Sequence, residues 1–186
     1  MRYSFLMNSK EIRTHNGVIR IVRGDITVEH ADAIVNASNS SLRPGGGVCG
    51  VIHNAAGSAV AEDCRRVMAD RDPLEPGEAV ATIAGDLNAR YIIHALGPVW
   101  HGGDMGEPKA LASAYRTSIE IADGLGLSSI AFPSISTGIY GYPMMAAAHV
   151  ALDAIKQAME RTRSVREVRI VLYDPYAFDV WILAAR

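Results

Sequence analysis

Cysteine is scarce in this chain: Cys49 and Cys64 are the only two in 186 residues, they are not in CxxC spacing, and a chain of this size needs no disulfide staple. A reducing, cytoplasmic setting is the expectation. Long apolar runs are missing as well. The stretch Val150 to Met159 is interrupted by Asp153, Lys156 and Gln157, so no membrane-spanning helix is expected. The apolar part of Met1 to Lys10 is too short for a secretory core and has no small-residue cleavage site, so no signal peptide is expected. Blocks of positive charge are absent. Eighteen basic residues against twenty acidic ones leave a net charge of -2, and Arg65-Arg66 is the longest basic run, which disfavours a groove for extended DNA or RNA. Six histidines are scattered without HExxH or paired Cys/His spacing, so no metal site and no cofactor are expected.

Glycine is what the chain has in concentrated form. Two loops stand out, Pro44-Gly45-Gly46-Gly47-Val48-Cys49-Gly50 and Ser134-Ile135-Ser136-Thr137-Gly138-Ile139-Tyr140-Gly141. Each lies between an apolar, strand-like run and a helix-like run. Glycine lets the backbone turn through positive φ and approach a ligand closely, so successive N–H groups can converge on an anion at a helix mouth. A pair of such loops points to a phosphate-bearing ligand, and hence to a nucleotide.

The spacing predicts strands at Val18–Val22, Ala33–Val35, Val80–Ala84, Tyr91–Leu96, Ile130–Pro133 and Val168–Tyr173. It predicts helices at Val48–Ala56, Ala59–Met68, Lys109–Leu125, Met144–Arg161 and Tyr176–Ala185. Strands alternating with helices imply a mainly parallel sheet covered on both faces, in one α/β domain over residues 1–186. His101 to Gly106 reads as a mobile surface loop.

Gly45 to Gly50 matches the letters GxGxxG, but its context is not that of a dinucleotide fold. Asn36 to Pro44 separate strand from glycines, and no strand follows until Val80. No GxxxxGK[ST] is present either. Asn36 and Asn39, just past a buried strand, can present donors and acceptors to a sugar, or can serve turn chemistry. Asp25, closing another strand, can accept from an exocyclic amine or cap the next turn.

Taken in order, Gly24-Asp25-Ile26-Thr27, Ala33-Ile34-Val35-Asn36-Ala37-Ser38-Asn39, Gly45 to His53, Ile93-His94-Ala95-Leu96-Gly97-Pro98 and Ala131 to Pro143 resemble the macrodomain family, close to the MacroD-type ADP-ribosyl hydrolases. The resemblance runs from about Val18 to the C-terminus. It implies a three-layer α/β/α sandwich with a mixed, mainly parallel sheet, and an ADP-ribose cleft at the C-terminal ends of the strands. By that resemblance Asp25 meets the adenine amine and the Ile26 backbone an adjacent ring nitrogen. Gly45, Gly46, Gly47 and Val48 line one side of the diphosphate and distal ribose, and Ser136, Thr137, Gly138, Ile139 and Tyr140 close the other. Asn39 meets the distal ribose hydroxyls, and Asn36 is kept as a ligand-binding candidate on its strand-end chemistry alone. Tyr173 stacks on adenine, with Tyr176 and Phe178 as rivals.

One position departs from the pattern. The family commonly has aspartate after Gly-Gly-Gly-Val, where this chain has Cys49. Cys49 stands in the first turn of a helix, four residues before His53 on the same face, so a nucleophile–base pair and a small space-filling thiol are both open readings. The expected activity is release of ADP-ribose from mono-ADP-ribosylated macromolecules, or deacetylation of O-acetyl-ADP-ribose, with Asn39 and Cys49 the candidate catalytic residues. A non-catalytic ADP-ribose reader is the alternative, and a phosphatase of phosphorylated ADP-ribose a further one.

Overall fold

The computed structural model describes residues 9–186, so nearly all of the N-terminal stretch read against a secretory leader lies outside the described residues. Seven strands form one sheet: β1 (Ser9–Thr14), β2 (Gly17–Arg23), β3 (Ala33–Ala37), β4 (Ala79–Ile83), β5 (Tyr91–Ala95), β6 (Ser129–Phe132) and β7 (Glu167–Leu172). Five helices accompany them: α1 (Gly47–Ala56), α2 (Ser58–Met68), α3 (Glu107–Gly124), α4 (Met144–Met159) and α5 (Pro175–Ala184). The strand order is β1-β2-β7-β6-β3-β5-β4, antiparallel at the two edge pairs and parallel between.

Period-two alternation divides the core between the two faces of this sheet. Ala33 and Val35 of β3, with Ile93 and Ala95 of β5, pack into the larger cluster with Leu111, Tyr115, Ala151, Ile155 and Trp181 of α3, α4 and α5. Ile34 and Ile92 point the other way, against Ile52, Ala56 and Val60 of α1 and α2. This is the three-layer α/β/α sandwich. The same alternation sends Asn36, His94 and Thr82 to the α1/α2 face, and Asn36 and His94 are register partners across β3 and β5.

Strand β1 was not expected. Its sequence, Ser-Lys-Glu-Ile-Arg-Thr, has no continuous apolar face, and it survives as an edge strand through pairing with β2. The loop expected to be mobile is pinned: the buried Glu107 carboxylate accepts from the N–H groups of His101 (3.0 Å), Gly103 (3.1 Å) and Met105 (2.6 Å).

Candidate functional site

Every parallel strand ends at the same edge, and the segments that leave those ends build one cleft. Gly24-Asp25-Ile26 follow β2, Ser38-Asn39 follow β3, Gly97 follows β5, Pro133-Ser134 follow β6 and Tyr173-Asp174 follow β7. One half is a cavity of about 610 Å³ lined by Asp25, Ile26, Val51, Thr137, Met144 and Tyr173 among others. The narrower half, about 160 Å³, is lined by Ser38, Asn39, Gly45, Cys49, Ser136, Ile139 and Tyr140 among others. Gly47, Val48, Ser134 and Gly138 line both, so the halves are continuous.

Backbone groups face this cleft from two sides. Helix α1 begins at Gly47 with Gly46 as N-cap and no side-chain cap bond, which leaves its first N–H groups open to an anion. Gly47 has φ 60°, a left-handed turn that a side chain disfavours. Gly50 packs so closely on the carbonyl of Gly45 that a Cβ there would overlap it, fixing the loop on its helix. On the far side, Gly141 N–H donates to Gly138 O (2.9 Å), Tyr142 N–H to Ser136 O (3.0 Å) and Trp100 N–H to Tyr140 O (2.9 Å). These bonds use the loop's carbonyls, whereas none of the N–H groups of Thr137, Gly138, Ile139 and Tyr140 donates to a partner among the described residues. Ser136 turns the chain at φ 67°, at roughly 1–3 kcal/mol of backbone strain. Ile139, 82% exposed, reaches across so that a Cβ on Gly46 would stand 3.0 Å from its Cδ1.

Asp25 caps the next turn and also borders the cleft. Its Oδ1 accepts from Thr27 N–H (2.9 Å) and Thr27 Oγ1 (2.8 Å), capping the 3-10 turn Ile26–Val28, while the residue lines the larger cavity. Asn39 organises the loop ahead of the glycines: Oδ1 accepts from Ser41 N–H, Ser41 Oγ and Arg43 N–H, and Nδ2 donates to Arg43 O (2.7 Å). Tyr173 is 81% exposed and lines the larger cavity, whereas Phe178 is core. Tyr176, 66% exposed, opens α5 behind the Asp174 cap.

A family model, the Macro domain, matches residues 35–151. The chain belongs to the macrodomain family. It is 48% identical over 163 residues to the O-acetyl-ADP-ribose deacetylase of Cronobacter sakazakii, covering 88% of this chain and 91% of that one. Among solved structures it is similar to an Oceanobacillus iheyensis macrodomain with ADP, at TM-score 0.90 and 38% identity over 95% of this chain and 94% of that one. It is also similar to a Trypanosoma brucei macrodomain in complex with ADP-ribose, at TM-score 0.81 and 32% identity over 90% and 69% of the two chains. No helix among the described residues is long and apolar enough to cross a membrane.

One residue of this macrodomain, Asn36, sits differently from expectation, and Cys49 sits as the space-filling reading requires. Asn36 has no exposed surface and lines neither half of the cleft; it lies one layer beneath, because position 36 falls on the α1/α2 face of β3. Its Nδ2 is 3.1 Å from His94 Nδ1 and 3.6 Å from Cys49 Sγ. Cys49 lines the cleft but is 4% exposed, with its thiol donating to Arg43 O at 3.7 Å. Its neighbour is therefore Asn36, and His53 instead faces His94, ring centroids 5.7 Å apart.

A buried polar cluster under the cleft was missed. His53 from α1, Cys64 from α2 and His94 from β5 place their ligand atoms within 4.8 Å of one another. Burial drives the His94 imidazole down to about 3 and lowers that of His53, while burial, with Asp63 and Cys49 nearby, raises the Cys64 thiol to about 11. All three are thus neutral at ordinary pH. The available signal was a histidine directly after the buried apolar pair Ile92-Ile93 of β5.

Proposed function

We propose that this macrodomain binds ADP-ribose along the cleft, adenine over Tyr173 and Asp25 and distal ribose beside Asn39, and hydrolyses an acyl or glycosidic bond at that ribose. The substrate class is O-acetyl-ADP-ribose and mono-ADP-ribosylated macromolecules in the cytoplasm. The observation that carries this reading is the paired set of open N–H groups, at the start of α1 and along Thr137–Tyr140, on opposite walls of one continuous cleft. Such donors hold a diphosphate without the basic patch the chain lacks. The relatives named as deacetylases and the neighbours holding ADP or ADP-ribose support it.

In the acyl case water adds to the ester carbonyl, the bond from acyl carbon to ribose oxygen breaks, and the carboxylic acid and ADP-ribose leave. The narrow half of the cleft has no carboxylate or histidine in its lining; its titratable groups are Cys49 and Tyr140. Water is therefore activated by the ligand's own diphosphate, held next to the distal ribose by the loops. Cys49 is a small filler behind the glycines. That same lack of a side-chain base favours the second reading, a reader without turnover. Incubation with O-acetyl-ADP-ribose, and with proteins carrying ADP-ribose on defined side chains, tests the two. Product above a no-protein control supports the hydrolase, and binding with no product makes it a reader.

A further inference from the structure

Beneath the cleft, and with no part in the reaction above, His53, Cys64 and His94 form a closed set of two imidazoles and one thiol, all three buried. We infer that this cluster is a binding site for one soft monovalent cation, cuprous copper, held by a ring nitrogen of His53, Cys64 Sγ and His94 Nε2.

Geometry is the first support. Cys64 Sγ and His94 Nε2 are 3.6 Å apart. Sulfur at about 2.3 Å and nitrogen at about 2.0 Å from a shared ion are separated by roughly 3.5–3.8 Å for ligand angles between tetrahedral and trigonal. The pair is thus already set at the edge of a coordination polyhedron. The second, independent support is an orphaned group. His53 is 6% exposed, and its Nε2 is buried without a hydrogen-bond partner. A buried imidazole nitrogen left without a partner is costly unless something coordinates or bonds it.

The remaining groups supply an outer shell. His94 Nε2 is 2.9 Å from Thr82 Oγ1, which is 3.0 Å from Ile83 O, an arrangement that suits an imidazole proton on Nε2 pointing at Thr82 when no ion is bound. With Nε2 on the ion that proton moves to Nδ1, where the Asn36 carboxamide faces it at 3.1 Å. The Asn36 oxygen has no partner as the amide now stands, and a half-turn of the amide presents it to Nδ1–H and to the Cys49 thiol. Asp63, the nearby carboxylate, is occupied by Arg66 and by Ile83 N–H.

Charge and donor count select the ion. Binding replaces the Cys64 S–H bond with a sulfur–metal bond and releases one proton to solvent. One thiolate and a monovalent ion leave the buried unit neutral, whereas a divalent ion leaves a net positive charge in an apolar core. Three soft or borderline donors satisfy cuprous copper, while zinc requires a fourth, and the oxygen 2.9 Å from His94 Nε2 is the neutral Thr82 hydroxyl.

The test is an anaerobic titration of the whole reduced protein with cuprous ion against a chromogenic cuprous chelator, with zinc titrated in a parallel series. One equivalent withdrawn from the chelator, with X-ray absorption showing one sulfur and two nitrogen neighbours, is the expected result. Cys64→Ser, which keeps the volume, and His53→Ala each weaken uptake by more than the roughly 10–100-fold that loss of an outer-shell partner produces. Cys49→Ala, which removes the other thiol, retains the equivalent. Copper left with the chelator by the wild type, uptake lost in Cys49→Ala but not in Cys64→Ser, or zinc taken in preference to copper overturns the assignment. The wild-type competition needs no variant to fold.

Discussion

The Asn39 side chain grips both backbone groups of Arg43, accepting from its N–H at 3.1 Å and donating to its C=O at 2.7 Å. These bonds are the turn-forming role of this residue, and they leave one amide hydrogen of a cleft-lining side chain without a partner among the described residues. Asn39→Ala is expected to lose about 1–2 kcal/mol of stability from the broken loop bonds. Turnover is expected to fall further than ADP-ribose affinity, because the diphosphate contacts lie elsewhere. Thermal melts, calorimetry and single-turnover assays read these separately; unchanged turnover would remove Asn39 from the catalytic geometry.

Asp25 separates in the same way. Asp25→Ala removes the cap bonds to Thr27 and the group facing the larger cavity, and is expected to weaken ADP-ribose by about 1.5–3 kcal/mol and stability by about 0.5–2 kcal/mol. Asp25→Asn keeps an oxygen for the cap and loses the charge. Calorimetry in which Asp25→Asn loses affinity at wild-type melting temperature places the charge on the ligand. Equal affinity in all three proteins removes Asp25 from the site.

The two glycine loops tell their positions apart. Gly138 has no atom near the place of a Cβ and an ordinary φ, so Gly138→Val is expected to fold as the wild type and to fill the waist shared by both cleft halves. Gly47→Val confronts φ 60° and is expected to destabilise by at least about 1 kcal/mol, confounding the binding measurement. Gly138→Val that melts normally and still binds ADP-ribose would sink the diphosphate placement.

Much of this was legible in the sequence because strong periodicity and glycine clusters are local signals. Strand β3 and the loops after β3 and β6 stand where the pattern put them. Strand β1 did not show, since only Ile12 contributes to the core and pairing with β2 holds the rest. Asn36 was assigned to the ligand because strand ends often are, yet the face it occupies follows from alternation: an even position on β3 shares the side of Ile34, under α1. The His53–Cys64–His94 cluster was not legible because it joins two helices to a strand in another part of the chain. Only a strand order that places β5 beside β3 brings His94 to Asn36.

Acid stability follows from Asp123, at the end of α3. Burial opposes its ionisation, but Oδ1 accepts from Arg163 N–H (2.8 Å), Ser164 N–H (2.7 Å), Ser164 Oγ (2.7 Å) and Val165 N–H (3.3 Å), and these bonds hold its carboxyl below the usual carboxylate range. A depressed carboxylate contributes stability that is present above its unfolded pKa, about 3.9, and is lost as pH falls through the folded value. Asp123→Asn is expected to be less stable than wild type at neutral pH, with the gap closing below about pH 4. Denaturant melts across that range measure it, and a gap that widens with acid contradicts the assignment.

The last expectation concerns the position where aspartate is usual in the family. Cys49 is 4% exposed, with its sulfur against Arg43 O on one side and Asn36 Nδ2 on the other, and it has no histidine as hydrogen-bond partner. A nucleophile requires a base within reach, and although this thiol borders the cleft, its hydrogen-bond partners are a carbonyl and an amide rather than a base. Cys49→Ala is therefore expected to keep both ADP-ribose affinity and whatever turnover the wild type shows. Cys49→Asp meets two opposed neighbours: the Asn36 amide can donate to a carboxylate, but the Arg43 carbonyl repels it, and the incoming diphosphate adds like charge. A faster rate with weaker binding is the expected outcome for Cys49→Asp, because on the proposed reading a carboxylate there supplies a side-chain base to a half of the cleft whose lining has none. Single-turnover release measured beside affinity decides between the accounts. A Cys49→Ala protein that binds normally and releases nothing overturns the filler role and makes the thiol the reacting group.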